Sequence, residues 1–227
     1  MRQGIVRGLA ALFLLLTLGP GLWAQAPGTH PLSGRRFPQP TSVADAAWLA
    51  RPERDREEAS DRGLRILGIT PGSTVADVGA GAGYLTVSLS GVVGARGKVY
   101  ATDVQPGMLE LLRARLARQN VPNVEVVLGA PDNPRLPPNT FDLILLNGVY
   151  HEFSQPQAML RGLRDALKPS GRLVLFEYRA EDPKVPVHPD HKMTVAQAKL
   201  EIEAEGLTLT MVNEELPWQH ILIFRRR

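Results

Sequence analysis

The chain has 227 residues, of which 44% are hydrophobic and 22% are charged, and its formal net charge is +3. This is ordinary globular composition, and the roughly 200 residues beyond the N-terminal segment described next make one domain rather than two. So small a net charge does not indicate a nucleic-acid partner. Because the sequence contains no cysteine, disulfides, thiolate metal sites and cysteine nucleophiles are all excluded.

Residues 1–26 have the features of a secretory signal peptide. Arg2 and Arg7 precede an apolar run that is too short to span a bilayer, and small residues follow at Ala24 and Ala26. Cleavage is expected after one of these two alanines. The mature protein would then be exported to the periplasm or secreted, without stable membrane insertion. The alternative is an uncleaved membrane anchor.

The next stretch, residues 27–40, is rich in proline, glycine and polar residues, which predicts a flexible linker or an extended arm. The folded domain is expected over residues 41–227. Pro52 suits the first position of a helix that continues to about Leu67. The charged residues 51–58 of that helix are interpreted as a solvated face, with a lid over a binding cleft as the alternative.

From residue 74 onward, short apolar runs alternate with helical patterns, which predicts a parallel sheet with right-handed crossovers. Strands are predicted at Thr74–Val78, Lys98–Thr102, Val124–Leu128, Asp142–Leu146, Arg172–Tyr178, Thr208–Asn213 and His220–Arg225. Helices are predicted at about Tyr84–Val93, Pro106–Gln119, Gln155–Leu167 and Thr194–Glu205. No helix separates the last two strands, so we expect an antiparallel hairpin at the sheet edge.

The most informative stretch runs from Val75 to Tyr84, where an apolar strand leads into glycines at 79, 81 and 83 and then into a helix. Glycine permits positive φ and close approach of the backbone to a ligand. Free N–H groups at a helix start can hold an anion, such as the carboxylate of an amino-acid moiety. The next strand ends at Asp103, about 20 residues further on, where an acid can accept hydrogen bonds from ribose hydroxyls. The loop does not fit the dinucleotide pattern G-x-G-x-x-G, because Tyr84 stands where the last glycine is required.

In this order of strand, glycine loop, helix, strand and terminal aspartate, the sequence resembles the class I S-adenosylmethionine (SAM)-dependent methyltransferases, as a small exported bacterial-type member. The resemblance extends roughly over residues 51–227. It implies an α/β fold, a Rossmann-like three-layer sandwich. The sheet would be mostly parallel and seven-stranded, in the order 3-2-1-4-5-7-6, with strand 7 antiparallel as the expected hairpin requires. It also implies SAM as the cofactor and a methyl acceptor, a small molecule, that the sequence does not identify.

The resemblance further implies which residues contact the cofactor. They are Asp77, Gly79, Gly81, Gly83, Asp103, Val104, Asp132 and Asn147. The first four would line the methionine end, and the next two would contact ribose and adenine. Asp132 follows a proline in the turn where the family often has an acid near the adenine amine. Asn147, at the end of the fourth strand, would face the sulfonium region.

The candidates for catalysis follow the fourth strand. Ligands bind outside the carboxyl ends of parallel strands, so Tyr150, His151 and Glu152 are predicted at the mouth of the site. A hydroxyl or amine acceptor benefits from a general base, and His151 is the first candidate because its usual pKa is near neutral. An equally weighted alternative is a structural histidine that is hydrogen-bonded to a neighbour.

The candidates for substrate contact surround the end of the fifth strand. Glu177 and Arg179 lie on the same rim, where they either contact the substrate or form a salt bridge with each other. The proline-rich segment that follows is expected to fold over the pocket, with His191 and Lys192 recognising an acidic or polar substrate. No metal site is predicted: His188 and His191 could join another histidine around a divalent ion, but no second spaced pair of ligands supports this.

Three functions are compatible with these patterns. The favoured one is SAM-dependent methyl transfer to a small molecule, with no nucleic-acid partner. A non-catalytic exported binding module on the same fold is the alternative, because SAM is made in the cytosol. A nicotinamide-dependent oxidoreductase is disfavoured by the spacing from Gly79 to Tyr84. The oligomeric state is left open.

Overall fold

The computed structural model describes residues 28–227, so the predicted signal peptide lies outside the described residues. Within residues 28–227, no helix combines the length and the hydrophobicity that crossing a membrane requires. The strands are β1 (Thr74–Val78), β2 (Lys98–Asp103), β3 (Val124–Leu128), β4 (Phe141–Asn147), β5 (Leu167–Tyr178), β6 (Leu207–Asn213) and β7 (Gln219–Arg226). The helices are α1 (Ala46–Leu49), α2 (Arg54–Glu58), α3 (Ser60–Leu67), α4 (Thr86–Val93), α5 (Pro106–Arg118), α6 (Pro156–Ala166) and α7 (Val195–Glu203).

The seven strands form one sheet in the order β3-β2-β1-β4-β5-β7-β6. β7 is antiparallel to β5 and β6, and the other pairs are parallel. The sequence therefore predicted the strand order and the antiparallel hairpin correctly. Alternate residues of β1 divide between two cores: Val75 packs in the layer of α3 and α4, whereas Ala76 packs in the layer of α6 and α7. This is the expected three-layer α/β sandwich.

Most predicted element boundaries agree with the structure to within about two residues, the usual uncertainty at element ends. One exception is β5, which begins at Leu167 rather than at Arg172. Leu167 pairs with Phe141 across an irregularity in the register with β4, so the chain joins the sheet directly after α6. Local patterning does not show such a pairing, because its partner is distant in sequence.

The helix predicted over residues 52–67 is instead two helices. Ala59 has a φ of 48°, and the chain turns there between α2 and α3. The turn directs Glu58 into the interior, where it accepts hydrogen bonds from Arg54 Nε and from the Tyr178 hydroxyl, each at 2.6 Å. The solvated-face interpretation is therefore wrong for Arg54 and Glu58, because tertiary contacts outweigh the local helical preference.

Residues 28–37, called the arm below, form a hairpin-like turn that is closed by an antiparallel bridge between Thr29 and Arg36 and packs onto the domain. Arg35 is 7% exposed, and its Nε and Nη2 donate to the two carboxylate oxygens of Glu201 on α7, at 3.1 and 3.0 Å. Its Nη1 donates to the carbonyl of His151 at 2.6 Å. The prediction for residues 27–40 was a flexible linker or an extended arm, and over residues 28–37 the structure has a packed turn. The physical reason is that the buried Glu201 requires the cation that the arm supplies.

We expect Arg35→Ala to lower the free energy of unfolding by about 3 kcal/mol, because Glu201 would remain as a buried carboxylate without its cation. Urea denaturation of the purified chain measures this loss. The matched control is Arg36→Ala, whose exposed side chain should contribute less than about 0.5 kcal/mol. Equal losses in the two variants would contradict docking of the arm through Arg35.

Candidate functional site

The glycine loop leaves the carboxyl end of β1 beside β4, at the point where the strand order reverses. The N–H groups of Gly79 and Ala80 donate to the carbonyl of Thr102 in β2, at 2.8 and 3.0 Å. Gly79 has a φ of 73°, and a Cβ there would lie 2.4 Å from Cγ2 of Val149. Conformation and close contact therefore both require glycine at this position. The loop is fastened to the strand that follows it.

Asp103, the last residue of β2, holds the loop from the other side. Its Oδ2 accepts a hydrogen bond from the N–H of Gly81 at 2.9 Å, and its Oδ1 accepts one from the N–H of Gln105 at 2.8 Å. Burial raises the pKa of Asp103, although these two hydrogen bonds act to lower it. A carboxylate has about four acceptor positions, so Asp103 can still accept hydrogen bonds from a ligand beside it.

Two clefts meet at Asp103. The loop cleft is lined by Leu49, Arg54, Asp77, Gly79, Gly81, Tyr84, Asp103, Gln105, Asn147, Gly148 and Glu152, among others. The side cleft is more apolar, and its lining includes Val78, Gly79, Asp103, Val104, Pro131, Pro134, Phe153 and Met159. Together the clefts extend from the glycine loop, past the acid, to an apolar slot beside β2.

Asp77 lies in the loop cleft at the end of β1 and is 3% exposed. Its Oδ2 accepts a hydrogen bond from the hydroxyl of Thr86 at 2.6 Å. Burial raises the pKa of Asp77 to about 6, the hydrogen bond from Thr86 opposes this rise, and the nearby charge of Asp103 adds to it. Above that pH the cleft presents a carboxylate that can pair with a cationic group of a ligand.

Most of the residues predicted to contact the cofactor line one of the two clefts. They are Asp77, Gly79, Gly81, Asp103, Val104 and Asn147. Gly83 and Asp132 are exceptions. A Cβ on Gly83 would lie 2.4 Å from Cδ1 of Leu112, so this glycine permits packing of the loop on α5. Asp132 is an exposed turn residue, and its neighbour Pro131 lines the side cleft in its place.

His151 lies in the 3-10 helix Tyr150–Glu152, directly after β4, and is 2% exposed. Its Nδ1 lies 2.7 Å from Oε2 of Glu177, and Oε1 of Glu177 accepts the backbone N–H of Tyr150 at 2.9 Å. Since a carboxylate only accepts, Nδ1 carries the proton and Nε2 of the neutral ring holds a lone pair. Nε2 lies 3.1 Å from Nδ1 of His191.

A third opening, the rim pocket, adjoins the loop cleft. Its lining includes Thr41, Trp48, Arg51, Gly148, His151, Glu152, Tyr178, Val187, His188, His191 and Trp218. Thr41, Gly148 and Glu152 line the loop cleft as well, so only a thin wall separates the two spaces. The proline-rich segment after β5 contributes Pro186 and Val187 to this pocket, as the sequence predicted.

Two residues predicted near the mouth of the site lie in the interior instead. The Tyr150 ring is fully buried, and its hydroxyl donates to Oε2 of Glu201 at 2.9 Å. Burial and the charge of Glu201 raise the pKa of Tyr150 well above its usual range. Glu177 is also fully buried and contacts His151 rather than a substrate pocket. A catalytic Tyr150 and a substrate-binding Glu177 are therefore wrong predictions. The turn after β4 directs Tyr150 into the interior, and Glu177 faces that turn from a buried position in β5.

The remaining basic candidates support loops. Arg179 donates to the carbonyl of Leu216 at 2.6 Å and pairs with the carboxylate of Glu214 at 2.9 Å, so it does not pair with Glu177. Lys192 donates from Nζ to the carbonyl of Val185. The prediction that Arg179 and Lys192 contact the substrate is wrong, since their donors are used by the backbone of nearby loops.

His191 does lie at the rim pocket, as predicted, and joins an unpredicted cluster. Among the described residues, ligand atoms of His151, Glu152 and His191 all lie within 4.8 Å of one another. Burial raises the pKa of Glu152, and burial together with His151 lowers the pKa of His191. The histidines considered as further ligands lie elsewhere: His188 is exposed, and His220 is buried against acidic side chains.

From the sequence, contact between the charged residues 51–58 and a cleft is only the alternative to a solvated face. Arg54 lines the loop cleft. The buried Glu58 accepts hydrogen bonds from Arg54 and from the Tyr178 hydroxyl and so holds Arg54 in place. Their i,i+4 spacing was the available signal, but the same spacing is common on exposed helix faces. Thr41, which donates to Glu152 at 3.1 Å, carried no signal at all.

Comparison with known proteins identifies relatives by sequence. A family model described as a methyltransferase domain matches residues 75–171, which include the glycine loop, Asp103 and His151. The ubiquinone/menaquinone biosynthesis C-methyltransferase UbiE of Escherichia fergusonii is 36% identical over 112 residues, which are 49% of this chain and 45% of that protein. UbiE of Salmonella arizonae matches to the same extent. The chain thus spans about half the length of the curated relatives it matches.

Solved structures extend the comparison to the whole fold. A SAM-dependent methyltransferase from Aquifex aeolicus has a TM-score of 0.78 and 28% identity, covering 82% of this chain and 100% of that one. In sequence over residues 75–171 and in fold over most of its length, the chain is similar to SAM-dependent methyltransferases. The O-methyltransferase NcsB1 from neocarzinostatin biosynthesis, solved with S-adenosyl-L-homocysteine and 1,4-dihydroxy-2-naphthoic acid, has a TM-score of 0.66 and 16% identity, over 80% of this chain and 57% of that one. This second likeness concerns the fold alone.

Gly83→Ala is expected to lower the free energy of unfolding by about 2–4 kcal/mol. A Cβ would collide with Leu112, and the φ of 84° is unfavourable for alanine. Gly72→Ala is the matched control, because Gly72 has a φ of 91° with no atom within 4 Å of its Cβ position. It should cost only about 1–2 kcal/mol in the same urea titration. If the control loses as much stability as Gly83→Ala, packing on Leu112 contributes nothing.

Proposed function

We propose that this protein is a class I methyltransferase that transfers a methyl group from SAM to a small molecule that carries a planar ring. The supporting observation is the meeting of the loop cleft and the side cleft at Asp103, beside the backbone of Gly79 and Gly81. A glycine backbone, an acid and an apolar slot follow one another there. That is the order in which the methionine, ribose and adenine parts of SAM need them.

The residues of the two clefts fit this cofactor. Asp77 would pair with the ammonium group of the methionine part. Gly81 leaves room for the carboxylate end of the methionine part to approach the loop backbone, since no atom lies within 4 Å of the Gly81 Cβ position. Asp103 would accept the ribose hydroxyls, and Val104, which is 41% exposed, would pack against adenine. A side chain at Gly81 would occupy the space that the ligand needs.

SAM supplies a methyl group that is already activated by a sulfonium, so the placement of the acceptor provides much of the rate. The acceptor atom forms the new bond to carbon, the carbon–sulfur electron pair stays on sulfur, and the acceptor loses a proton where it has one. We assign activation of the acceptor to the Nε2 side of His151. Glu177 holds the opposite Nδ1–H, which orients the ring and stabilises positive charge on it.

The acceptor is proposed to bind in the rim pocket. Trp48, Tyr178 and Trp218 line it, and aromatic side chains favour a planar ring. The relatives named above point the same way: UbiE is named for ubiquinone and menaquinone biosynthesis, and NcsB1 was solved with a dihydroxynaphthoic acid. Because the chain spans only about half of UbiE, hydroxylated aromatic rings in general, such as quinols and phenols, are the acceptors to test.

The proposal predicts one-to-one binding of SAM with a micromolar Kd in isothermal titration, and no binding of NAD. Asp103→Ala should weaken SAM binding by about 10- to 100-fold, because two hydrogen bonds to a charged acceptor are lost. Asp132→Ala is the matched control, since that acid is exposed and outside the clefts, and it should bind SAM as the unaltered chain does.

The same titration decides against the proposal if the unaltered chain binds no SAM, or binds NAD equally well. Turnover is then measured by mass spectrometry of S-adenosylhomocysteine formed with a panel of quinols and phenols. SAM binding without turnover on any acceptor would favour the alternative of a non-catalytic binding module. Product formed by the unaltered chain but not by Asp103→Ala supports methyl transfer at this site.

The buried Asp77 predicts how SAM binding depends on pH. Because burial raises the pKa of Asp77 to about 6, the carboxylate that pairs with the ammonium group exists only above that pH. The dissociation constant should therefore be flat above about pH 6 and rise by roughly tenfold per unit below it. Asp77→Asn should bind SAM more weakly, and its dissociation constant should not change slope near pH 6. If the change of slope persists in the variant, another group causes it.

A further inference from the structure

Three side chains from two loops meet on the wall between the loop cleft and the rim pocket. His151 and Glu152 come from the turn after β4, and His191 comes from the 3-10 helix Pro189–His191 after β5. Nε2 of His151 lies 3.1 Å from Nδ1 of His191. Oε1 of Glu152 lies 3.9 Å from the first nitrogen and 3.8 Å from the second. Three potential ligand atoms thus form one compact triangle.

Glu177 fixes the direction of the His151 ring. It accepts the Nδ1–H at 2.7 Å and is itself fully buried, with a second donor in the backbone N–H of Tyr150. The lone pair of Nε2 therefore points toward His191 and Glu152. In metal sites, a histidine ligand almost always donates its other N–H to a carboxylate or carbonyl, which orients the ring and increases its basicity. Glu177 occupies that position.

Glu152 supplies the negative charge. Its Oε1 accepts from the N–H and the hydroxyl of Thr41, at 3.3 and 3.1 Å, which hold the carboxylate at the wall. Its side chain is 12% exposed, and within residues 28–227 its ion pairs are with His151 and His191 only. Burying a carboxylate without a lysine or arginine partner is costly, so a cation bound beside Glu152 would be stabilising.

We propose that His151 Nε2, His191 Nδ1 and a carboxylate oxygen of Glu152 bind one divalent transition-metal ion. When two histidine nitrogens bind one zinc ion in tetrahedral geometry, the nitrogens lie about 3.3 Å from each other. Nε2 of His151 and Nδ1 of His191 lie 3.1 Å apart, which is close to that distance. The Glu152 oxygen must approach by roughly half an ångström, which a side-chain torsion provides. His191 then carries its proton on Nε2, so that Nδ1 is free to bind the ion.

The donor set determines the class of ion. Imidazole ligands suit zinc, cobalt and iron, whereas magnesium and calcium prefer ligands that are all oxygen. Two histidines and one carboxylate occupy one side of the coordination sphere and leave positions open on the other. Glu152 and His191 both line the rim pocket, where those open positions would meet a ligand.

The open positions also suggest the acceptor class, a step that rests on the proposed function. An acceptor in the rim pocket would place an oxygen on the ion, which selects ring compounds that carry a hydroxyl group or an ionised oxygen. The ion would thereby hold that oxygen next to Glu152, the residue that borders the loop cleft as well. With Nε2 of His151 bound to the ion, the ion would activate the oxygen by lowering its pKa, in place of proton transfer to Nε2 in the metal-free chain.

Cobalt titration of the full chain, purified without a polyhistidine tag and freed of metal by a chelator, tests the site. We expect one Co²⁺ per chain with visible d–d absorption, displaced stoichiometrically by Zn²⁺ and not by Mg²⁺. His191→Ala should weaken Co²⁺ binding by about 100-fold or more, since loss of outer-shell partners alone costs 10- to 100-fold. His188→Ala is the matched control, because its side chain is 70% exposed three residues away, and it should bind Co²⁺ within about twofold of the unaltered chain.

Absence of stoichiometric Co²⁺ binding by the unaltered chain overturns the site, as does equal binding by His191→Ala. SAM titration of each variant serves as the folding check, since His191 does not line the loop cleft or the side cleft. Metal binding and SAM binding are separate readouts. Failure to bind SAM with intact Co²⁺ binding would therefore refute the proposed function alone, and the reverse result would refute the metal site alone.

Discussion

The carbonyl of Thr102 accepts the N–H groups of both Gly79 and Ala80, and the geometry of the cofactor region depends on this contact. It ties the loop after β1 to the end of β2. Asp103, the next residue, then reaches the N–H of Gly81. With the loop held on both sides, the space above it stays open between β1 and β4. A ligand can approach the backbone there because the glycines carry no side chain.

A second set of contacts, made by buried acids and their hydrogen-bond donors, positions the turn that carries His151 beside the rim pocket. Each buried acid has its own donors: Glu201 receives Arg35 and the Tyr150 hydroxyl, whereas Glu177 receives His151 and a backbone N–H. Removing water from these acids is costly unless such partners replace it. The arm is thus part of the site, since Arg35 also donates to the carbonyl of His151. Packing and function share one hydrogen-bonded network.

The two regions meet at a narrow wall. Gly148 and Glu152 line both the loop cleft and the rim pocket, so the proposed methyl donor and ring-bearing acceptor would bind next to each other along the same few residues. An in-line displacement needs that proximity more than it needs strong acids or bases. In the proposed function, the polar groups on this wall would therefore act mainly by holding and orienting the acceptor, and His151 would add its activation.

The sequence by itself determined the seven strands and the antiparallel hairpin, and its resemblance to a known family implied the strand order. Strand and helix periodicities are local, and the glycine loop with Asp103 depends on neighbours in the chain. Only the tertiary structure decided which side chains enter the clefts. Tyr150 turns inward and Arg179 supports a loop, although both follow strands at the same rim. His151 meets His191, 40 residues away, because β4 and β5 lie side by side, and no local pattern encodes the direction in which a loop side chain points.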